Sequence, residues 1–182
     1  MIIGLIGKIG SGKDSIAEIL IKKFNFHEQI RFSDPITEFL TAINLDLNRE
    51  NYQKIGFYLR KIFGEYIIID TIVRRIKNKI NRNLIVNGIR YKLEFDAIKN
   101  LGGVIIGIEI DDEKRFQRIN TRKRFGQKIS WNEFKEYDNK ETEIQIESLL
   151  KLADFTISNN GTLIDLEKEI EKLLKLINFK NS

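Results

Sequence analysis

The sequence predicts an open parallel α/β sheet with helices on both faces. Three observations carry that prediction. An apolar run at residues 2–6 ends in the glycine-rich stretch GKIGSGKDS, residues 7–15, and passes at once into an amphipathic helix. Five short apolar or β-branched runs recur along the chain. Helical patterns separate them, as expected for a sheet whose crossovers cover both faces.

Each element follows in turn. Residues 2–6 read as a buried strand. From residue 13 to 24, Ile16, Ala17, Ile19, Leu20 and Phe24 recur at helical spacing. Residues 29–33 form a brief second strand, and Ser33-Asp34-Pro35 marks a helix start. Helical patterns fill 36–43, 48–63 and 66–80 with no strand among them. Residues 84–87 are the third strand, ending in Gly88-Ile89-Arg90, and 92–99 are helical. Gly102 and Gly103 break that helix before the β-branched strand 104–110. Asp111, Asp112 and Glu113 charge the start of the next helix, which runs to about Thr121. Residues 130–152 read as helical, 154–158 as the last strand, and a final helix carries the apolar face Leu163, Leu166, Ile170, Leu173, Leu174 and Ile177.

Composition narrows the function classes. The 182 residues fit one domain, and 42% apolar content supplies a full core. There is no cysteine, which removes disulfides and thiolate zinc sites, and the one histidine, His27, argues against a Ser-His-Asp hydrolase or a histidine-rich metal centre. No secretion signal and no membrane-length apolar run is evident, so the expected location is the cytoplasm. The net charge of +5 is concentrated at 114–128, with seven Lys or Arg and no acid, and 132–147 is mainly acidic. A local basic block facing a polyphosphate explains this better than a nucleic-acid stripe.

The glycine-rich stretch is nearly the phosphate-binding pattern G-x-x-x-x-G-K-[ST]. Gly7, Gly10 and Gly12 let successive amides, from Gly10 through Ser11 to Ser15, point at one anion. The helix start adds its positive end, and Lys13 supplies a cation to the β- and γ-phosphates. The expected ligand is ATP with Mg²⁺. Position 14 departs from the pattern: Asp14 stands where a metal-binding hydroxyl is usual.

With these residues in view, the chain resembles the P-loop nucleoside monophosphate kinases. It looks most like the phage-type deoxynucleoside monophosphate kinases and the archaeal proteins described as dephospho-CoA kinase-like or adenylate-kinase-related. Residues 7–15 (GKIGSGKDS), 32–35 (FSDP), 85–90 (IVNGIR) and 153–163 (ADFTISNNGTL) carry the likeness, with 54–64 (KIGFYLRKIFG) more weakly. The resemblance implies a three-layer sandwich with sheet order 2-3-1-4-5, an acceptor-binding helical insertion at about 36–80 and a lid at about 122–135.

It also implies roles. Asp14 and Asn87 are a candidate charge swap at Mg²⁺, directly or through water; the other reading of Asp14 is a cap at the helix start. Asp34 faces the acceptor or caps the helix at Pro35. Arg90 grips the acceptor's phosphate, and Arg60 does the same or, as is commoner for any single arginine, is a solvated helix charge. Arg118 and Arg122 share a helix face, and with Arg124 in the lid they close on the transferring phosphate or form a basic surface patch. Asn160 and Gly161, after Asn159, pack beside the adenine or simply turn the chain. The aromatics Phe57, Tyr58, Phe63 and Tyr66 read first as core and second as a wall for an acceptor base. The expected protein is a monomeric or homodimeric nucleotide kinase acting on a small nucleotide. A dephospho-CoA kinase-like enzyme and a non-catalytic nucleotide-binding regulator are the rivals, and a nucleic-acid-binding protein ranks last.

Overall fold

Residues 1–79, 81–122, 127–139 and 141–179 are described in the computed structural model, the side chains of 141–143 apart. Five strands, β1 (Ile2–Ile6), β2 (Glu28–Arg31), β3 (Leu84–Asn87), β4 (Val104–Glu109) and β5 (Phe155–Ser158), form one parallel sheet in the order β2-β3-β1-β4-β5. The expected order is therefore observed. The second strand is shorter than its apolar pattern, because only the Phe32 N–H continues the ladder, to the Asn87 carbonyl at 3.2 Å, before the chain turns.

The two-residue period of each strand feeds two separate cores. Ile3 and Leu5 of β1, Ile85 of β3 and Ile106 and Ile108 of β4 pack against α1 (Lys13–Lys23) and the last helix, Leu163–Leu176. Ile6, Val86 and Ile105 face the opposite layer, built by α2 (Asp34–Ala42), α3 (Arg49–Phe63), α4 (Ile67–Lys77) and α5 (Lys92–Asn100). Gly4 allows this layer to approach closely: a Cβ there would lie 2.5 Å from Ile105 Cδ1.

After β4 come α6 (Asp112–Thr121), α7 (Trp131–Asp138) and α8 (Glu141–Leu150); the last helix is α9. The single helix expected over 130–152 is thus two. Ser130 opens α7 with a reciprocal cap to Glu133, and the Asn139 N–H closes it on the Lys135 and Tyr137 carbonyls. The lid expected at about 122–135 spans Arg122, α7's first turn and residues 123–126, which lie outside the described residues.

The insertion's aromatics also differ from expectation. Phe57, Tyr58, Phe63 and Tyr66 are exposed, not core. The inward face of α3 is Tyr52, Ile55, Gly56 and Leu59, spaced three and four apart; Phe57 and Tyr58 lie off that face, Phe63 is the last residue of α3, and Tyr66 is the N-cap of α4.

The insertion shares its core with the sheet, since Ile68, Ile69, Ile72 and Ile76 of α4 pack with β-strand residues. We expect Ile72→Ala to lower stability by about 2–5 kcal/mol. The loss should appear in urea unfolding as a single shifted transition. Two separate transitions would contradict a one-domain chain.

Candidate active site

The carboxyl ends of the strands open into a cavity of about 2020 Å³. A site for one small ligand measures roughly 300–1,000 Å³, so this one has room for two. Its position follows from the topology, because the loops after β1, β2, β3 and β5 all end there.

The glycine loop forms one wall. Gly10 and Gly12 adopt φ of 82° and 98°, the left-handed region that glycine enters without steric cost. A Cβ on Gly12 would also come within 2.1 Å of Asn159 Nδ2. Asn159 is buried at the end of β5 and donates that amide to the Ser11 carbonyl at 2.8 Å. The Lys13 ammonium folds back over the loop to the Gly7 and Lys8 carbonyls, at 2.5 and 3.1 Å. Gly10, Gly12, Lys13, Asp14, Ser15 and Gly161 line the cavity. Gly7 and Ser11 lie behind that wall, where the Ser11 Oγ approaches Gly7 and the Ser11 N–H bonds the Lys8 carbonyl at 3.1 Å.

Asp14 and Asn87 meet. Asn87 Nδ2 donates to Asp14 Oδ1 at 3.1 Å, and Arg31 Nη2 reaches the same oxygen at 3.3 Å. Asp14 stands within the first turn of α1, past the N-cap Gly12, so its carboxylate bonds side chains across the sheet edge. Asn87 is buried, and its own Oδ1 has no hydrogen-bond partner.

Asp34 sits beside the cavity and is not part of its lining, although Ser33 and Ile36 are. Its carboxylate turns back to accept the Arg31 N–H at 2.7 Å and so braces the β2–α2 turn. It is the first residue of α2, which Ser33 precedes as N-cap. Asn160 also points elsewhere: its side chain exchanges hydrogen bonds with Asp111 at 2.9 and 3.0 Å, tying the β4–α6 and β5–α9 turns together.

Four arginines named from the sequence line the cavity: Arg60, Arg90, Arg118 and Arg122. Arg118 Nη2 donates to the Asn159 carbonyl at 3.1 Å. Burial, and then the charge of Arg122, pulls its pKa below the usual guanidinium value. Arg124 lies outside the described residues. Arg60 lies over the Tyr91 ring, 5.0 Å from its centroid, with Nη1 on the Gly56 carbonyl at 3.1 Å.

Glu94 was missed in the sequence. It lines the cavity yet is only 3% exposed. Its carboxylate accepts the Arg90 and Tyr91 N–H groups at 2.8 and 3.3 Å and lies 3.6 Å from Arg60 Nη2. Burial raises its pKa to about 7 against the opposing pull of those partners. Its position three residues after Tyr91 is a helix-start signal, but burial cannot be read from spacing. Arg31 and Arg49, which also line the cavity, carried no signal beyond their charge.

The raised pKa of Glu94 has a definite sign. The folded state holds its proton more tightly than the unfolded chain, so its contribution is full below the ordinary carboxylate value and is lost as pH rises through about 7. Replacement by Gln removes this loss. We expect Glu94→Gln to gain stability relative to the parent between about pH 5 and about pH 8, by on the order of 3 kcal/mol. Urea unfolding at the two pH values measures it; parallel pH profiles would contradict the assignment.

Comparison with known proteins agrees with this architecture. A family model described as an AAA domain matches residues 3–145. A UPF0200 protein of Methanococcus maripaludis is 30% identical, with 97% of each chain covered, and one from Methanococcus vannielii is 31% identical, with 97% of this chain and 92% of the relative covered. Among solved structures, a shikimate kinase from Bacteroides thetaiotaomicron superposes with a TM-score of 0.63 at 13% identity, covering 98% of this chain and 99% of that one. The dephospho-CoA kinase from Campylobacter jejuni does so with a TM-score of 0.57 at 22% identity, covering 97% and 96%. The fold is therefore that of the P-loop kinases. From its loop, its sheet order and these matches, the chain belongs to the AAA domain family of P-loop proteins and, within it, to the UPF0200 proteins.

Proposed function

We propose that this protein is a Mg·ATP-dependent phosphotransferase whose acceptor is a nucleoside or deoxynucleoside monophosphate. One observation carries the reading. A single cavity large enough for two ligands is walled by a glycine loop with its lysine and also by Arg60 and Arg90, with Arg118 and Arg122 in the same wall. Phosphoryl transfer asks a protein mainly for positioning and charge neutralisation, and these groups supply both.

The loop amides and Lys13 hold the donor's polyphosphate. The planar forks of Arg90 and Arg60 suit a terminal phosphate dianion. An oxygen of the acceptor phosphate bonds to the γ-phosphorus while the β–γ bridging oxygen leaves with its electron pair, giving ADP and a nucleoside diphosphate. Arg118 and Arg122 repel each other in the free protein, and an anion placed against both relieves that repulsion. The apolar lining from Ile36, Tyr52, Leu149 and Leu152 keeps water from competing as acceptor.

Asp14 and Asn87 fit Mg²⁺. They offer a carboxylate and a buried amide oxygen without a partner, both hard donors. Among the described residues no group of three or more His, Cys, Asp or Glu side chains is placed to hold a metal ion, and a Mg²⁺ that arrives with a nucleotide would need only one or two protein ligands. When bound, the ion neutralises charge on the donor's phosphate oxygens. Asp14 would then supply the negative charge at the ion, and Asn87 a neutral oxygen.

A phosphate acceptor needs no general base, which accords with Asp34 being engaged by its own turn. Glu94 favours a second reading. A buried acid with a pKa of about 7 in the cavity wall is suited to take a proton from a hydroxyl acceptor, such as the ribose of dephospho-CoA.

Terminally labelled ATP with Mg²⁺, offered a panel of nucleoside and deoxynucleoside monophosphates plus dephospho-CoA, separates the readings. We expect label on a monophosphate, with Glu94→Gln retaining transfer to it. Label on dephospho-CoA that Glu94→Gln abolishes favours the second reading. ATP binding with no labelled acceptor would overturn both and leave a nucleotide-binding regulator.

Asp14→Ala should lower Mg²⁺-dependent turnover by at least about a hundredfold while ATP still binds. Full turnover in that variant would remove Asp14 from the metal site.

A further inference from the structure

The second, third and fourth loop residues are each attached to the helices that follow β4, and of the three Ile9 and Gly10 also line the cavity. Lys8 Nζ reaches Glu147 of α8 at 2.5 Å and Asp138 of α7 at 3.4 Å. The Ile9 side chain packs with Ile119, Ile129 and Phe134. Gly10 lies against the backbone of α6, where a Cβ would come within 3.3 Å of the Arg115 carbonyl.

Arg115 joins these contacts. Its side chain is buried. Its guanidinium donates to the Ile9 carbonyl at 3.2 Å and to Asp112 at 2.8 Å, and pairs with Asp138. It also lies over the Phe134 ring, 4.8 Å from the centroid. A buried guanidinium tolerates no lost partner, so a shift of the Ile9 carbonyl must carry Arg115 with it. Arg115 stands one turn before Arg118 and two before Arg122 on α6, so movement of α6 relocates both. Asp138 keeps a second buried oxygen, Oδ1, without a partner, which leaves the α7 end of the network an alternative pairing.

We propose that Arg115 and Asp138 are positioning residues that couple the glycine loop to α6 and α7, so that a triphosphate seated in the loop sets where Arg118 and Arg122 stand. The pair acts through the loop carbonyl and the helix, not by touching substrate. This inference rests on the phosphotransferase reading and adds how the basic wall is brought into register with the donor.

The molecule carries its own reporter. Trp131, the single tryptophan, lies 5.1 Å from the Phe134 ring and 5.3 Å from Phe116. Tryptophan emission and ATP binding by calorimetry are measured together in the parent and in Arg115→Met/Asp138→Leu. That double replacement removes the pair as a unit and leaves no half of it buried alone. We expect ATP to shift Trp131 emission in the parent. In the double variant ATP should bind within about tenfold of the parent, with no emission shift. Its kcat should fall about a hundredfold, the cost of misplacing a reacting group by about 1 Å.

Hydrogen exchange on the parent gives a second readout that needs no core variant: ATP should slow exchange in 112–121 and 131–138 together with 8–12. A double variant that keeps both the emission shift and kcat would overturn the proposal. So would a parent that binds ATP and protects 8–12 alone. No ATP heat from the parent would instead overturn the phosphotransferase reading beneath it.

Discussion

The turn between β1 and α1 is the constraint on which the rest depends. It must present several backbone amides to one point, and an L-side chain cannot follow that path at Gly10 or Gly12. A chain so shaped is held only if it is buttressed. Asn159 supports it from the end of β5, through the Ser11 carbonyl and in the space that the missing Cβ of Gly12 provides. Arg115 supports it from α6, through the Ile9 carbonyl. The sheet order makes both supports possible, because β1 lies at its centre with β4 and β5 to one side.

Charge is arranged around this turn in two regimes. Arg115 and Asp138 are buried and paired, the arrangement in which loss of one partner costs about 3–5 kcal/mol. Arg118 and Arg122 are left against one another in the cavity wall, where burial first, and then the charge of Arg122, lowers the pKa of Arg118. The first regime fixes a frame and the second stores an affinity for anions. Glu94 belongs to both: it is buried, it organises the backbone of Arg90 and Tyr91, and it lies near Arg60.

Local features of the sequence identified much of this. Residues 7–15 with the flanking strand and helix announced the loop, and alternating periods announced the layered sheet. The meeting of Asp14 with Asn87, 73 positions apart, was legible because the loop after β1 leads into Asp14 and β3 ends at Asn87, so parallel strands bring both to one edge of the sheet. Features set by packing were not legible. Glu94 carries no signal in the sequence beyond its place in a helical stretch; burial in the cavity wall is what distinguishes it. The aromatic positions of α3 have helical spacing on either face, and only the docking of Gly56 decides which face turns inward. Asn159 and Asn160 are neighbours of one type; the twist at the end of β5 sends the first to the loop and the second to Asp111.

The most direct measurement is a calorimetric titration of AMP, ADP and ATP, each with Mg²⁺, into the parent protein and into Lys13→Met. If the loop grasps a polyphosphate tail, affinity climbs with each added phosphate in the parent, and Lys13→Met loses most of the gain from the last. Equal heats for the three nucleotides, or none, would contradict the account at its root.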